Sequence, residues 1–263
     1  MSVYSKENPF FLKESLKSIW VDQTVMPSEI VLVKDGRLTK ELDRIIEDAK
    51  NDMPLRIVTL EKNQGLGVAL NKGLLKCSYE LVARMDTDDI SKSNRFEMQT
   101  NIFKNYDNVD VVGSWTDEFI NETENIKSVR KVPENHDEIK KYSKKRSPVN
   151  HPTVMFKKEA VLKAGNYIDF PLFEDYHLWG RMIMLGAKFY NIQKSLLFFR
   201  TTNDTYRRRG NLKHGVQEIK LQLFFFKIGL INFYQLIVNI VIRFSIRILP
   251  NFIRMYFYKS VLR

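Results

Sequence analysis

The chain has 263 residues, which is enough for one α/β domain of about 200 residues and a smaller appendage. Its 42 Lys and Arg residues outnumber its 31 Asp and Glu residues and give a formal net charge of +11. The single cysteine, Cys77, excludes an intramolecular disulfide, and no signal peptide, repeat or low-complexity segment is evident. We therefore expect a protein of the reducing cytoplasm, not a disulfide-stabilised secreted module.

Strands and helices are predicted to alternate over the first part of the chain. Asn8-Pro9 is a typical cap and first-turn proline for a helix that extends to about Trp20. Hydrophobic patterns then predict, in chain order, strand 30–34, a helix within 39–52, strand 55–60, a helix ending near Cys77, strand 80–85, helix 93–106 and strand 109–114. With right-handed crossovers, the initial βαβαβαβ order predicts a parallel sheet with helices on both faces.

The first predicted strand is short. Only Ser2-Val3-Tyr4 precedes the first turn, and three residues make a poor buried strand. We expect the natural translation start to lie upstream of Met1.

The acidic run Asp86-Thr87-Asp88-Asp89 follows the apolar residues of the fourth predicted strand. Carboxylates this close repel one another unless a cation lies between them, and a hard divalent metal would relieve the repulsion. Asp86 and Asp88 are two residues apart, so one carboxylate can bind a metal while the other accepts a hydrogen bond from a ribose hydroxyl. An acid-rich strand-to-loop transition is the alternative interpretation, and Asp-x-Asp alone is a weak motif.

Polar residues end two further predicted strands. Tyr4 follows the first strand and Asp35-Gly36 follows the second. Ligands of open α/β sheets bind beyond the carboxyl ends of the strands, so Tyr4, Asp35 and the acidic run are predicted to converge on one nucleotide-sugar site.

Six stretches, in order over roughly the first 200 residues, together resemble the inverting glycosyltransferases of family 2, which have the GT-A fold. They are SVYSKENPFFLKESLKSI, EIVLVKDG, NQGLGVALNKGL, ELVARMDTDDIS with RFEMQ, NHPTVMF and FEDYHLW. The final segment, LPNFIRMYFYKSVLR, is similar to that of bacterial polysaccharide-assembly members. The resemblance implies a GT-A domain over 1–206, with a nucleotide-sugar half at 1–110 and an acceptor half at 111–206.

The resemblance and the charges together assign roles in the nucleotide-sugar half. Asp88 is expected to hold Mn²⁺ or Mg²⁺, which stabilises the departing diphosphate, and Asp86 to hold the ribose. Tyr4 is expected to stack on uracil and Asp35 to accept a hydrogen bond from it, although Asp-Gly is also an ordinary turn pair. Two weaker candidates for nucleotide binding are Asn63, in a Gly-containing helix entry, and Arg84, which could instead counter the charge of the acidic run.

The pair Glu174-Asp175 opens a predicted helix that extends to Leu185. Inverting transfer needs a base that removes the proton of the acceptor hydroxyl. In the family this base is the Asp of a Glu-Asp pair, which corresponds to Asp175, with Glu174 orienting it or the acceptor. Acidic capping of the helix is the alternative.

Four basic or imidazole side chains are further candidates for the acceptor or the diphosphate. His151 could bind the acceptor or be structural, and the four histidines show no zinc-ligand spacing. The run Arg207-Arg208-Arg209 could close over the donor diphosphate, bind lipid headgroups or bind the diphosphate of a lipid-linked acceptor. Arg200 is expected to follow the last sheet element.

The region 207–263 carries nearly all of the net charge. It contains eleven Lys or Arg residues against the single Glu218, which leaves +10 there and +1 in the preceding 206 residues. Its uncharged stretch from Ile228 to Ile242 is shorter than the roughly 20 residues of a spanning helix, so amphipathic helices lying on anionic lipid are predicted. Packing of these helices on the domain or on a second subunit is the alternative, and nucleic acid is disfavoured by the apolar density.

These observations predict a metal-dependent inverting glycosyltransferase, peripheral on the cytoplasmic face of the bacterial inner membrane. It would move a hexose, glucose or galactose, from a UDP-sugar to a saccharide on undecaprenyl diphosphate in O-antigen, capsule or exopolysaccharide synthesis. A nucleotidyltransferase, which would release pyrophosphate instead of UDP, and an inactive membrane-associated scaffold are the alternatives.

Overall fold

The structure is a computed structural model that describes residues 1–201 and 212–248, with backbone alone for 212–213 and 244–248. The strands are Ser2–Val3 (β1), Ile30–Asp35 (β2), Leu55–Leu60 (β3), Leu81–Ala83 (β4), Ile90–Ser91 (β5), Val111–Phe119 (β6), Ile126–Arg130 (β7), Met155–Lys157 (β8) and Phe189–Arg200 (β9). The α-helices are Pro9–Ser18 (α1), Lys40–Asp52 (α2), Leu66–Lys76 (α3), Arg95–Asn105 (α4), His136–Ser143 (α5), Lys158–Lys163 (α6), Glu174–Met184 (α7), Leu212–Lys227 (α8) and Phe233–Ile248 (α9).

The first three strands form a parallel sheet in the order β1-β2-β3. Helices α1 and α2 cover it with a cluster of buried aliphatic side chains that includes Leu12, Leu16, Leu42 and Ile46. The Asn8 side chain accepts hydrogen bonds from the first turn of α1, as predicted from its position before proline.

The remaining strands form a mixed sheet in the order β4-β8-β6-β9-β5, with β7 paired to β6. Here the structure differs from the predicted single parallel sheet, because β4 pairs antiparallel with β8, Ala83 opposite Met155. A cavity of about 40 Å³ is lined by residues of both sheets, including Val31 on β2 and Val82 and Ala83 on β4. Within the mixed sheet only β6 and β9 run parallel.

The largest core cluster joins α7 to the two C-terminal helices. It includes Trp179 on α7, Leu221 and Phe225 on α8, and Leu236 on α9, all of them buried. A Cβ atom placed on Gly180 would lie 2.4 Å from Cε1 of Phe225, so glycine is needed where α8 crosses α7. The inner faces of α8 and α9 therefore pack on the domain that carries α7, as the packing alternative for this region predicted.

Replacing Phe225 by alanine should lower the free energy of unfolding by about 3–5 kcal/mol, the usual cost of removing a buried phenylalanine. Phe226→Ala is a matched control one residue away, since 43% of Phe226 is exposed, and it should cost much less. Denaturant unfolding of both variants measures the difference. Equal effects would mean that α8 does not pack as described.

No helix in the described part of the chain is long and apolar enough to cross a membrane. Residues 202–211 and 249–263, which include both ends of the basic region 207–263, lie outside the described residues, and the division between domain and tail at residue 206 stays a prediction.

Candidate active site

Three carboxylates gather between β4 and β5. One oxygen from each of Asp86, Asp88 and Asp89 lies within 4.8 Å of the others. The Ser15 hydroxyl on α1 donates to the Asp86 carbonyl at 2.7 Å, which ties this acidic loop to the first helix. Asp89 is fully buried, and its Oδ1 accepts a hydrogen bond from the Arg200 backbone N–H at 2.9 Å.

The electrostatics of this cluster fit a hard cation. Burial, followed by the charge of Asp86, raises the pKa of Asp88 to about 6, and burial raises the pKa of Asp89 well above its usual range. Among the described residues, no group donates a hydrogen bond to Oδ2 of Asp89. Converging carboxylate oxygens are the ligands that Mg²⁺ and Mn²⁺ prefer, so the residues present fit a divalent ion.

Two buried arginines lie behind the cluster. Nη2 of Arg84 donates to Oδ1 of Asp86, which places Arg84 where it counters the charge of the acidic run. Within the described chain, Nε and Nη1 of Arg84 have no hydrogen-bond partner. Arg95 is fully buried and donates to the Arg84 carbonyl at 2.7 Å, so it does not lie on the helix surface.

Asp35 lies at the end of β2 and caps the entry to α3. Its two carboxylate oxygens accept hydrogen bonds from the backbone N–H groups of Gln64 and Gly65, at 2.7 and 3.0 Å. Asn63 donates through its side chain to the Asp35 carbonyl at 3.4 Å. Asp35 therefore has the structural role in a turn that was the alternative to nucleotide binding. A carboxylate has further lone pairs, so binding of uracil by Asp35 stays a prediction.

Tyr4 lies at the same edge of the parallel sheet as Asp35. Val3 pairs with Lys34, and Tyr4 and Asp35 are the next residues along the two parallel strands. This register supports the predicted convergence of strand ends. The stacking role of Tyr4 stays a prediction.

Glu174 and Asp175 are the first two residues of α7. Burial, and then the charge of Asp175, raises the pKa of Glu174 to about 7. Burial also raises the pKa of Asp175, against the opposing effects of the Tyr176 N–H and the charges of Arg130 and Arg84. The charge of Asp86 also raises the pKa of Glu174, as the smallest of the named causes.

The first turn of α3 lies against Glu174. A Cβ atom on Gly67 would lie 2.4 Å from the Ile168 carbonyl oxygen and 3.4 Å from the Glu174 Cβ. Asn71 on the same helix donates to the Tyr167 carbonyl at 2.6 Å. The glycine at position 67 therefore permits close packing of α3 on the segment that precedes Glu174.

His151 lies in a short 3₁₀ helix, where its Nε2 is 3.1 Å from the Tyr167 hydroxyl. Burial, with the nearby charge of Arg84, holds the pKa of His151 well below its usual range, so the ring is neutral. A role in acceptor binding stays a prediction. The predicted Arg207, Arg208 and Arg209 lie outside the described residues.

The sequence did not predict that Arg130 and Tyr167 lie near the Glu-Asp pair, or that Arg200 belongs to a strand. Arg200 is the last residue of β9 and is buried, so the expectation that it follows the last sheet element was wrong. The available signal was its position at the end of an apolar run. Arg130 and Tyr167 lie in segments with no motif, and only the folded chain brings them to Glu174 and Asp175.

Glu174→Gln should stabilise the protein at pH 8 but change its stability little at pH 4.5. The pKa of Glu174 rises on folding from 4.5 to about 7, so the favourable protonated form is lost as pH rises through that window. The gain at pH 8 should reach up to about 3 kcal/mol, at 1.36 kcal/mol per pKa unit. Unfolding curves at both pH values, with the exposed Glu159→Gln as control, measure it. An equal gain at both pH values would contradict the burial of an ionisable Glu174.

A solved structure shares this fold. S. aureus TarS 1-349 in complex with UDP-GlcNAc superposes with a TM-score of 0.65 over 100% of this chain and 75% of that chain. At 15% sequence identity this likeness shows the fold alone. The fold is that of the GT-A glycosyltransferases.

Two curated relatives cover nearly the whole chain. An Escherichia coli UDP-Gal:alpha-D-GlcNAc-diphosphoundecaprenol beta-1,3-galactosyltransferase is 40% identical over 100% of this chain and 95% of its own length. The amylovoran biosynthesis glycosyltransferase AmsE of Erwinia amylovora is 33% identical over 99% of this chain and 97% of its own length. The profile of glycosyl transferase family 2 matches residues 2–164, and the chain belongs to this family.

Proposed function

We propose that this glycosyltransferase moves galactose from UDP-galactose to an N-acetylglucosamine carried on undecaprenyl diphosphate, with inversion at the anomeric carbon. The observation that carries the proposal is the 40% identity, over the full chain, to the Escherichia coli enzyme with that donor and acceptor. Glucose is the second donor to test. The product would belong to a bacterial surface polysaccharide.

The acidic loop serves the donor in this proposal. Asp88, with Asp86 and Asp89 beside it, would hold Mn²⁺ or Mg²⁺, and the bound ion would neutralise charge on the departing diphosphate. Asp86 is paired with Arg84, which leaves its second oxygen for a ribose hydroxyl. Tyr4 and Asp35, at the neighbouring strand ends, receive the uracil.

The Glu-Asp pair serves the acceptor. Asp175 accepts the proton of the attacking hydroxyl as that oxygen bonds to the anomeric carbon and the bond to UDP breaks on the opposite face. Burial raises the pKa of Asp175, which strengthens it as a base, while the charge of Arg130 keeps the carboxylate form accessible. Glu174 orients the acceptor hydroxyl beside it.

The direct test is a donor screen. The full-length protein, Mn²⁺ or Mg²⁺ and a synthetic N-acetylglucosamine diphosphate lipid are mixed with UDP-galactose, UDP-glucose or UDP-N-acetylglucosamine. UDP release and the anomeric configuration of the product, by NMR, are measured. We expect a β-linked galactoside and release of UDP, and an α-linked product or release of pyrophosphate would contradict the mechanism.

We also propose peripheral attachment to the cytoplasmic face of the membrane through an outer face of α8 and α9. This outer face consists of exposed apolar side chains, 43–75% accessible: Val216, Leu223 and Phe226 on α8, and Phe233, Tyr234, Ile237, Val241 and Ile242 on α9. The rings of Phe226 and Phe233 lie 6.2 Å apart, so the apolar surfaces of the two helices are continuous.

The charges around this outer face suit anionic lipid. Lys220 and Lys227 are exposed on α8 among the apolar residues. Glu218 is the only acidic residue of the two helices, and it is buried and paired with Arg243. Lysines beside apolar side chains bind anionic bilayers through both charge and burial.

The triple change Phe226→Gln, Phe233→Gln and Tyr234→Gln should release the protein from vesicles of phosphatidylcholine and phosphatidylglycerol. Point changes are needed because deleting α8 would also remove the buried Phe225 from the core. Phe10→Gln on α1, where Phe10 is 62% exposed, is the control. Sedimentation at low and high salt should show that salt weakens binding without abolishing it. Unchanged pelleting of the triple variant would place the lipid contact elsewhere.

A further inference from the structure

Arg200 connects three elements around the acidic loop. Its Nε donates to the Asp88 carbonyl at 2.9 Å, and its Nη2 donates to Oε2 of Glu14 on α1 at 2.8 Å. Its backbone N–H donates to Oδ1 of Asp89 at 2.9 Å. One residue at the end of β9 thus contacts both the backbone and a side chain of the acidic loop.

Two aromatic rings hold the guanidinium in place. Its central carbon lies 3.9 Å from the ring centre of Phe11 and 4.6 Å from that of Phe119. Only 4% of the Arg200 side chain is exposed, which restricts it to this orientation. The planar group can therefore donate in two fixed directions, which a lysine in its place cannot reproduce.

Helix α1 holds the acidic loop at two adjacent positions. Ser15 donates directly to the Asp86 carbonyl at 2.7 Å, while Glu14 reaches the Asp88 carbonyl through Arg200. These two contacts define the path of the backbone between Asp86 and Asp88. Carboxylates that bind a metal must be held by such outer contacts to keep their geometry.

The positive charge of Arg200 disfavours a cation nearby, so Arg200 cannot promote cation binding through its charge. Its Nε lies 2.9 Å from the Asp88 carbonyl, so a cation held by the Asp88 carboxylate would be repelled by the guanidinium charge. The contribution of Arg200 to a metal site is therefore geometric, and its electrostatic effect has the opposite sign. This difference in sign makes the two effects separable by experiment.

We propose that Arg200 is a positioning residue that holds the Asp88-Asp89 backbone in the geometry required for a divalent cation, with Glu14 as its anchor on α1. The proposal rests on the metal-binding part of the proposed function. It assigns Arg200 no contact with substrate.

The test measures binding of Mn²⁺ to the full-length protein, from the electron paramagnetic resonance signal of free Mn²⁺, with and without UDP. Arg200→Lys keeps the charge and loses the two directed hydrogen bonds, and it should weaken Mn²⁺ binding by about 10- to 100-fold. Arg200→Gln should also weaken binding, although loss of a positive charge alone would tighten it. Arg56→Lys, at an exposed ion pair with Glu29, is the control and should bind as the wild type does.

Unchanged affinity in Arg200→Lys, or tighter binding in Arg200→Gln, would overturn the proposal. Thermal unfolding shows whether each variant folds. Should the Arg200 variants fail to fold, Glu14→Asp retains the charge but shortens the anchor by one methylene, and it should weaken Mn²⁺ binding several-fold. Wild-type affinity in Glu14→Asp would then overturn the proposal.

A double variant tests whether the two residues act as a unit. Glu14→Asp should have no further effect on Mn²⁺ affinity in the Arg200→Lys background, because the anchor acts only through Arg200. Additive losses would overturn the proposed anchor. A wild-type protein that consumes UDP-galactose without binding Mn²⁺ would overturn the role of Arg200 and leave the sugar transfer intact.

Discussion

Asp88→Ala should abolish sugar transfer and remove the dependence of UDP binding on Mn²⁺. Asp88 lies within 4.8 Å of the other two carboxylates, and its loss leaves the diphosphate without the cation that would neutralise it. Because a cation held there would act on charge that develops at the leaving group, its loss should affect turnover more than the stability of the fold. Calorimetry with UDP, in the presence and absence of Mn²⁺, together with a UDP-release assay, measures both effects.

Asp107→Ala is the matched control for Asp88→Ala. Asp107 is exposed in the loop after α4, and its carbonyl, not its carboxylate, accepts the hydrogen bond from Lys157. The control should keep both transfer and metal-dependent UDP binding. If Asp88→Ala retained the Mn²⁺-dependent affinity of the wild type, Asp88 could not be the metal ligand.

Asp175→Asn should retain donor binding while turnover falls by at least about 10²-fold, the usual scale for a lost general base. The amide has nearly the same shape, so the packing around α7 should persist. In the wild type the rate should increase with pH as Asp175 loses its proton, since burial raises its pKa and only the carboxylate can accept a proton. Asparagine should remove that part of the pH dependence.

Asp169→Asn is the control for Asp175→Asn, because Asp169 is exposed in the segment that precedes α7. Its turnover and pH profile should match those of the wild type. UDP-galactose affinity and turnover are measured separately for both variants. Turnover by Asp175→Asn within a few-fold of the wild type would exclude Asp175 as the base.

Local sequence patterns predicted best the elements whose caps or hydrophobic periodicity lie within the element itself. Helix α1 begins at Pro9 behind its Asn8 cap, and β3 spans the predicted 55–60. The acidic loop and the Glu-Asp pair lie at the predicted strand end and helix start. Caps, hydrophobic periodicity and short motifs depend on neighbours in the chain, so they can be read without knowledge of the fold.

The environment of each site residue depends on contacts between distant segments. Arg95 is fully buried because its guanidinium reaches the Arg84 carbonyl across the space between α4 and β4. Arg200 contacts Glu14, 186 residues away in the chain, and no local pattern predicts that pair. The pKa of Glu174 rises to about 7 because the folded chain buries it beside Asp175.

The basic C-terminal region shows the same division between local and long-range information. Its sequence alone shows basic residues at intervals among apolar ones, with one acidic residue in the two helices. Tertiary structure decided that Phe225 faces the core against Gly180 while Phe226 faces outward. Periodicity shows that α8 has two distinct faces. The surface of α7 determines which face is buried, because the ring of Phe225 can pack closely against Gly180, which has no side chain.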